Sequence, residues 1–277
     1  MNQTKIWYIT GASKGMGLSL VKELLAKGQR VAATSRTLSA FEGFKGNDNF
    51  LPLETDLKSE LSVTASIKQT VEKFGRLDVV INNAGYGLGG ALEELTAGEI
   101  NENFEINFFA VVRVIQQALP YMRQQRSGHI INISSIAGFA PGVGWTVYCA
   151  AKFAVSGLSA ALTNDLKPLG IHVTNVMPGA FRTHFVKADS IAFGRQMITD
   201  YAHLRASHEK MNSMDGAQLG DPDKMGDIFL RLTSSPNPAT DLFLGSDAFH
   251  RATARIAQLQ EQLSEWKADS FYTDFTA

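Results

Sequence analysis

The chain has 277 residues, 44% of them apolar, a formal net charge of −1 and a single cysteine. That length suits one large α/β domain or two small ones, and the apolar share supplies a sizeable core and excludes a largely disordered chain. Near-zero charge with scattered lysines and arginines argues against nucleic acid or an anionic membrane as the main partner, and a lone Cys149 can form no internal disulfide, which fits a reducing, cytoplasmic setting.

Strand-like sequence starts almost at once, with no signal-peptide pattern, and no apolar run is read as long enough to span a membrane. Residues 5–10 read as a buried strand. Gly11, Ala12, Ser13, Lys14, Gly15, Met16 and Gly17 follow, and then a helical pattern in Leu18, Leu20, Val21, Leu24 and Leu25. A strand, a glycine-rich turn and a helix start make a phosphate-binding unit: glycines let the backbone approach a pyrophosphate, and the helix N-terminus offers free N–H groups. Gly28 reads as a helix C-cap. Further strands are expected at 30–35, 51–54, 77–81 and 171–176, with an amphipathic helix at 59–74. Alternating strands and helices imply a parallel sheet covered on both faces, with ligands beyond the strand C-terminal ends.

Residues 99–122 read as one long helix, apolar on several sides, with Asn107 as its polar exception. The β-branched run from Ile130 ends in Ser134 and Ser135, and Tyr148 and Lys152 follow at the head of a helix over 145–166. Positions i and i+4 share a helix face. A lysine ammonium beside a phenol favours the phenolate, which makes Tyr148 a candidate acid/base near neutral pH. Ser135 can donate to the same substrate oxygen, while strand alternation turns Ser134 away. Cys149 reads as packing, with a nucleophile as the alternative. His172 reads as a core or interface residue, and no metal site is expected because no His or Cys is spaced to join it. Residues 183–220 admit two readings, a lid over the substrate or a surface helical pair. A helix from Asp221 and Pro222, a short strand at 242–244 and an amphipathic tail helix over 247–267 complete the chain.

Taken in order, Gly11 to Gly17, Asp56 with Leu57, residues 82–85, Asn107, Ser135, Tyr148-x-x-x-Lys152, and Pro178-Gly179 with Thr183 resemble the motifs of the short-chain dehydrogenase/reductase family. The resemblance covers about 4–245, and the tail ending in Thr273-Asp274-Phe275 is similar to that of its 17β-hydroxysteroid-dehydrogenase-like branch. It implies a single-domain, doubly wound Rossmann fold of about seven parallel strands, a catalytic domain over 1–245 and a helical extension over 246–277. It also implies roles. Tyr148 protonates a substrate carbonyl oxygen, Lys152 lowers the pKa of Tyr148 and holds the nicotinamide ribose, Ser135 binds the substrate oxygen, and Asn107 holds a water. Asp56 and Leu57 meet the adenine, Asn82, Ala84 and Gly85 line the adenosine side, and Pro178, Gly179, Phe181 and Thr183 flank the carboxamide. His184 stands where an acidic residue was expected.

Ser35, with Arg36 next, stands where an NAD-binding chain usually carries a carboxylate, and Lys14 in the glycine turn lies on the same edge, so NADP(H) is the expected cofactor. The expected function is reversible reduction of a hydrophobic carbonyl compound. An NAD-dependent alcohol dehydrogenase and a non-catalytic dinucleotide sensor are the alternatives. The apolar and small-faced helices at 102–119 and 145–166 point to a homodimer or homotetramer.

Overall fold

The computed structural model describes residues 4–183 and 190–275. Strand β1 (Ile6–Ile9) runs into helix α1 (Gly15–Ala26), and β2 (Arg30–Ser35) and β3 (Phe50–Glu54) lead to α2 (Glu60–Phe74). The chain returns through β4 (Val79–Asn82) and a short strand, β5 (Gly87–Gly89). Helices α3 (Ala97–Phe104) and α4 (Ala110–Gln125) precede β6 (Gly128–Ile133), α5 (Thr146–Leu166) and β7 (Ile171–Pro178). Strand β8 (Ile191–Phe193), α6 (Ala202–Asn212), α7 (Met225–Ser234), β9 (Asp241–Leu244), α8 (Ser246–Glu265) and α9 (Lys267–Tyr272) follow.

Seven strands form one parallel sheet in the order β3-β2-β1-β4-β6-β7-β9. The chain winds outward from β1 and then restarts at β4 on the other side of it. The crevice beyond the C-terminal ends of β1 and β4 is therefore the topological switch point, where such sheets bind ligands. Side-chain alternation divides the core in two. Tyr8, Val80 and Ile130 face one way, against Ile67 of α2, Val114 of α4 and Val155 of α5. Trp7, Ile9, Ile81 and Ile131 face the other way, against Leu20 and Leu24 of α1 and Phe229 of α7. Both faces are covered, which is why these strands read as continuous apolar runs.

Four expectations need correction. The helix expected over 99–122 is broken: residues Glu105–Phe109 form a π turn between α3 and α4, with Asn107 at its middle. One extra residue in a turn leaves the surrounding apolar periodicity intact, so the pattern conceals it. His172 is exposed, which removes the core reading and leaves the interface one, its ring 5.7 Å from that of buried His129. The segment Thr146–Leu169 is by length and composition apolar enough to cross a membrane, contrary to the reading above, yet Val147, Ala151 and Val155 are buried in the core. Residues 190–220 are not a helical pair, since they hold a strand and one α-helix. Residues 184–189, with His184, lie outside the described residues. Beyond them β8 pairs in parallel with β5, and α6 is held by His208, whose Nε2 donates to Gly144 O at 2.8 Å. Glu94, also buried, accepts from Ile198 N at 2.9 Å and from Arg205 at 3.1 Å.

A buried amide chain ties the sheet to α5. Asn82 Nδ2 donates to Asn132 Oδ1 at 2.8 Å, and Asn132 Nδ2 donates to Ser159 Oγ at 2.9 Å. Asn132→Ala removes the middle of this chain and leaves Asn82 Nδ2 unpaired where water does not reach, while Ser159 keeps its bond to Val155 O. Unfolding in urea should show a loss of roughly 1–3 kcal/mol; a change within error of zero would mean the network contributes nothing.

Candidate active site

The turns after β1 and β4 are laced together. Asn83 Nδ2 donates to Thr10 O at 2.9 Å and to Gly11 O at 3.0 Å, while Thr10 Oγ1 accepts from the backbone N–H groups of Asn83 and Ala84 at 3.0 and 3.1 Å. Gly11 has a φ of +63°, and a Cβ there would lie 2.7 Å from Ala84 Cα. A Cβ on Gly17 would lie 2.6 Å from Gly11 O. Only glycine satisfies both demands at position 11. The result is a cleft of about 450 Å³ at the start of α1, lined by Gly11, Ser13, Lys14, Gly15, Met16, Ser35, Arg36, Asp56, Leu57, Ala84, Gly85 and Thr183, as expected from sequence.

The cleft fits a dinucleotide on its own geometry. Thr34 Oγ1 and Thr55 Oγ1 line it, are buried and have no hydrogen-bond partner. Native proteins rarely leave such groups unpaired without a ligand or water to meet them. The N-terminal turn of α1 opens onto the same cleft and supplies the free N–H groups a pyrophosphate needs. Asn82 departs from the expectation: its amide turns into the sheet toward Asn132, and Asn83 lines the cleft instead. Gly17 lies beneath the turn and not on the cleft wall. Sequence reasoning missed Thr34, Thr55, Tyr86 and Arg113. Arg113 donates to Leu57 O at 2.5 Å and to Glu105 Oε1 at 2.8 Å, anchoring the β3 exit to α4. Its only sequence signal is a charge on an otherwise apolar helix face.

Tyr148, Lys152, Ser135 and Asn107 do converge. The Ser135 side chain is close enough to the Tyr148 hydroxyl to lower its pKa, and both line one cavity. Lys152 Nζ donates to Ile133 O at 2.9 Å and lies 5.8 Å from the centre of the Tyr148 ring. Asn107 Nδ2 donates to Tyr86 O and to Asn103 O, both at 3.0 Å, and its Oδ1 accepts from Tyr86 N at 3.3 Å. Asn107 is thus seen positioning the backbone beside Gly85, whose missing Cβ would lie 2.6 Å from Oδ1 and 3.3 Å from Lys152 Nζ. Ser134 turns away, as expected: its hydroxyl donates to Lys152 O at 2.8 Å.

Burial overturns one electrostatic expectation. The Tyr148 phenol is pushed up to about 12, by burial against the smaller opposing effect of the Ser135 hydrogen bond. Burial also lowers Lys152 to about 8. Desolvation disfavours both charged forms and here outweighs the attraction of ammonium for phenolate. The phenol keeps its proton at neutral pH, as a general acid requires. Cys149 is a buried packing residue in a cluster with Trp145 and Ile191, its thiol raised by burial.

A second cavity, about 520 Å³, joins the first at Met16 and Thr183. Ser135 and Tyr148 lie on its wall with Ile136, Val143, Trp145, Phe181, Met211 and Met214. Pro178 and Gly179 also line it. The far wall comes from α8: Asp247 Oδ2 accepts from Ala180 N at 2.8 Å, and Arg251 donates to Ala140 O. The sequence had assigned α8 to an appended tail.

Known proteins place these features in context. The sequence pattern of the short chain dehydrogenase family matches residues 5–191. An oxidoreductase, BOA17, of Botryotinia fuckeliana is 33% identical over 267 residues, 95% of this chain and 97% of its own. A 3-ketodihydrosphingosine reductase of Bacteroides thetaiotaomicron is 37% identical over 236 residues, 85% of this chain and 86% of its own. The crystal structure of a short-chain dehydrogenase from Streptomyces avermitilis superposes with a TM-score of 0.91 at 31% identity, covering 99% of this chain and 100% of that one.

The buried ammonium generates a test that is independent of any reaction. Lys152 titrates near 8 when folded and near 10.5 when unfolded. Between those values the unfolded chain binds more protons, so this group's contribution to stability rises with pH there. Relative to Lys152→Met, the wild type should gain up to roughly 3 kcal/mol from about pH 8 to 10. Melting curves of both proteins across that range measure it, and a constant difference would contradict the burial account.

Proposed function

Because this chain belongs to the short-chain dehydrogenase/reductase family, we propose that it uses NADP(H) to reduce the carbonyl of a hydrophobic ketone to an alcohol, reversibly. The observation that carries this reading is that Ser135 and a protonated Tyr148 share one wall where a dinucleotide cleft meets an apolar cavity. Bound NADPH supplies the hydride, with its electron pair, to the carbonyl carbon. The protein supplies the rest. Ser135 and Tyr148 hold the carbonyl oxygen by their hydroxyls, and Tyr148 gives it the proton. Lys152, still an ammonium at neutral pH, stabilises the phenolate left behind and has further N–H donors for the ribose hydroxyls. Pro178, Gly179, Phe181 and Thr183 flank the nicotinamide side. Asn107 and Gly85 hold the floor on which these groups rest. In the oxidative direction the same phenol must first ionise, so alkaline pH favours that direction.

The apolar lining supports a hydrophobic substrate, since specificity pockets of this kind are mostly apolar with a few polar anchors. A relative named as a ketone reductase supports the reductive direction. The tail ending in Thr273-Asp274-Phe275 supports the hydroxysteroid-dehydrogenase-like branch. NADP(H) is supported by Lys14, Ser35 and Arg36 on the cleft wall and by the absence of a carboxylate at the end of β2. Phe109 and Phe153 are 48% and 42% exposed at the head of α4 and on α5, which supports a homo-oligomer. Light scattering at micromolar concentration checks this, and a monomer would refute it.

Tyr148→Phe should lower kcat by about 10²- to 10⁴-fold with NADPH affinity nearly unchanged, because only the proton donor is lost. A variant retaining a tenth of the wild-type kcat would remove Tyr148 from the acid role. For the cofactor, a charged hydrogen bond to the 2′-phosphate corresponds to a preference of roughly 10- to 150-fold for NADPH over NADH. Arg36→Asp should abolish most of that preference at fixed ionic strength, where screening is constant. Equal use of both cofactors by the wild type would favour the NAD-dependent alternative.

A further inference from the structure

Gln218 reverses the usual order of burial. Its side chain is 5% exposed, while Leu219, the next residue, is 76% exposed. Both amide atoms, Nε2 and Oε1, are buried without a hydrogen-bond partner. The backbone holds this arrangement in place. Gly220 N donates to Ala180 O at 3.0 Å, Arg182 N donates to Gly220 O at 2.8 Å, and the Arg182 guanidinium donates to Gln218 O at 3.2 Å. An apolar side chain is thus left in solvent while a polar one is turned inward and left unmatched.

Gln218 lines the same cavity as Ser135 and Tyr148. Asp247 lines it too, and its Oδ1 is a further buried acceptor with no donor. Among the described residues the cavity therefore offers, besides the Ser135 and Tyr148 hydroxyls, one unused donor nitrogen and two unused acceptor oxygens. Buried polar groups in native proteins are paired, and those that are not point to a missing water or ligand. A site built to hydrogen-bond a substrate group rejects analogues that lack it, because its own buried groups are then left unpaired.

We propose that Gln218 determines specificity by binding a second polar group of the substrate, remote from the reacting carbonyl. This inference rests on the reductase reading above. The group is neutral and both accepts and donates, and a hydroxyl has that chemistry. Its lone pair takes the Nε2–H of Gln218, and its proton goes to Oε1 of Gln218 or Oδ1 of Asp247. A carboxylate would bring only acceptors to a place where acceptors already outnumber donors; Arg251, the one cation on this wall among the described residues, donates to Ala140 O. The substrate class is accordingly a neutral, mostly apolar hydroxyketone, and its product is a diol.

The test uses β-tetralone, its ring-hydroxylated isomers and their methyl ethers with NADPH, on the wild type and on Gln218→Met, which keeps the length and removes the amide. In the wild type at least one hydroxylated isomer should exceed β-tetralone by about tenfold or more in kcat/KM, chiefly through KM, as one net hydrogen-bonded pair implies. Its methyl ether, which accepts but cannot donate, should fall between them. In Gln218→Met the ratio should drop to near one. A wild-type ratio near one for every isomer, as a water-paired amide would give, overturns the proposal, and so does a ratio that survives the substitution. Should Gln218→Met fail to fold, Gln218→Asn shortens the reach and should also lose the ratio. If no ketone consumes NADPH, the reductase reading has failed. Gln218 is then judged by melting temperature: hydroxylated isomers should stabilise the NADPH-saturated wild type more than β-tetralone does, and the difference should vanish in the variant. Equal shifts overturn the proposal.

Discussion

The site depends on one buried ammonium. Taking a lysine charge out of water costs several kcal/mol unless the surroundings are arranged to receive it. Here Lys152 is 4% exposed, and four pieces of chain meet around it. The end of β6 supplies Ile133 O to Nζ. Ser134 and Ser156 both give their hydroxyls to Lys152 O, pinning α5 to that strand end. Gly85, after β4, leaves room for Nζ, and Gly138 leaves room for the backbone, since a Cβ there would lie 2.6 Å from Lys152 O. The same burial that lowers the lysine raises the phenol beside it, so the pair rests as ammonium and neutral phenol.

From that point the molecule separates polar from apolar work. Toward β1, β2 and β3 the cleft is walled by backbone, hydroxyls and charges, with the laced turns at Thr10 and Asn83 setting its depth. Toward β6, β7 and α8 the wall is aliphatic and aromatic. Tyr148 and Ser135 stand at the boundary, so their hydroxyls face a space that is apolar on one side. Electrostatic interactions are strongest in such a place, because water is excluded from one side of it.

The C-terminal helix contributes to this boundary through its first turns only. Asp247 and Arg251, one helical turn apart on the wall of the second cavity, bond to Ala180 N and Ala140 O, and Ala248 and Ala252 pack against Ile136 and Ala140. Further along, Leu263, Trp266, Phe271 and Tyr272 are exposed. A boundary near residue 245 therefore divides the chain by sequence pattern, whereas the packing carries the catalytic unit on through about residue 252.

How much of this was legible follows from the range of each interaction. Strands, helices, the glycine turn and the Tyr148–Lys152 pair are local: they depend on side-chain alternation, helical spacing and turn chemistry, so residue order alone determined them, together with the parallel sheet and the family. Interactions between distant segments left no periodic trace. The π turn at Asn107, the pairing of β5 with β8 and the entry of Asp247 into the cavity needed the chain to be folded. So did the inward turn of Asn82, because a residue at a strand end has two faces available and only the neighbouring strand selects one. The sign of the Tyr148 shift was likewise a tertiary matter: sequence placed a charge beside the phenol, but desolvation comes from everything packed around both. Gln218 is the clearest case, since nothing in Ala217-Gln218-Leu219 says that the amide and not the leucine is buried. Local order determined which groups were present, and packing decided which of them lost water.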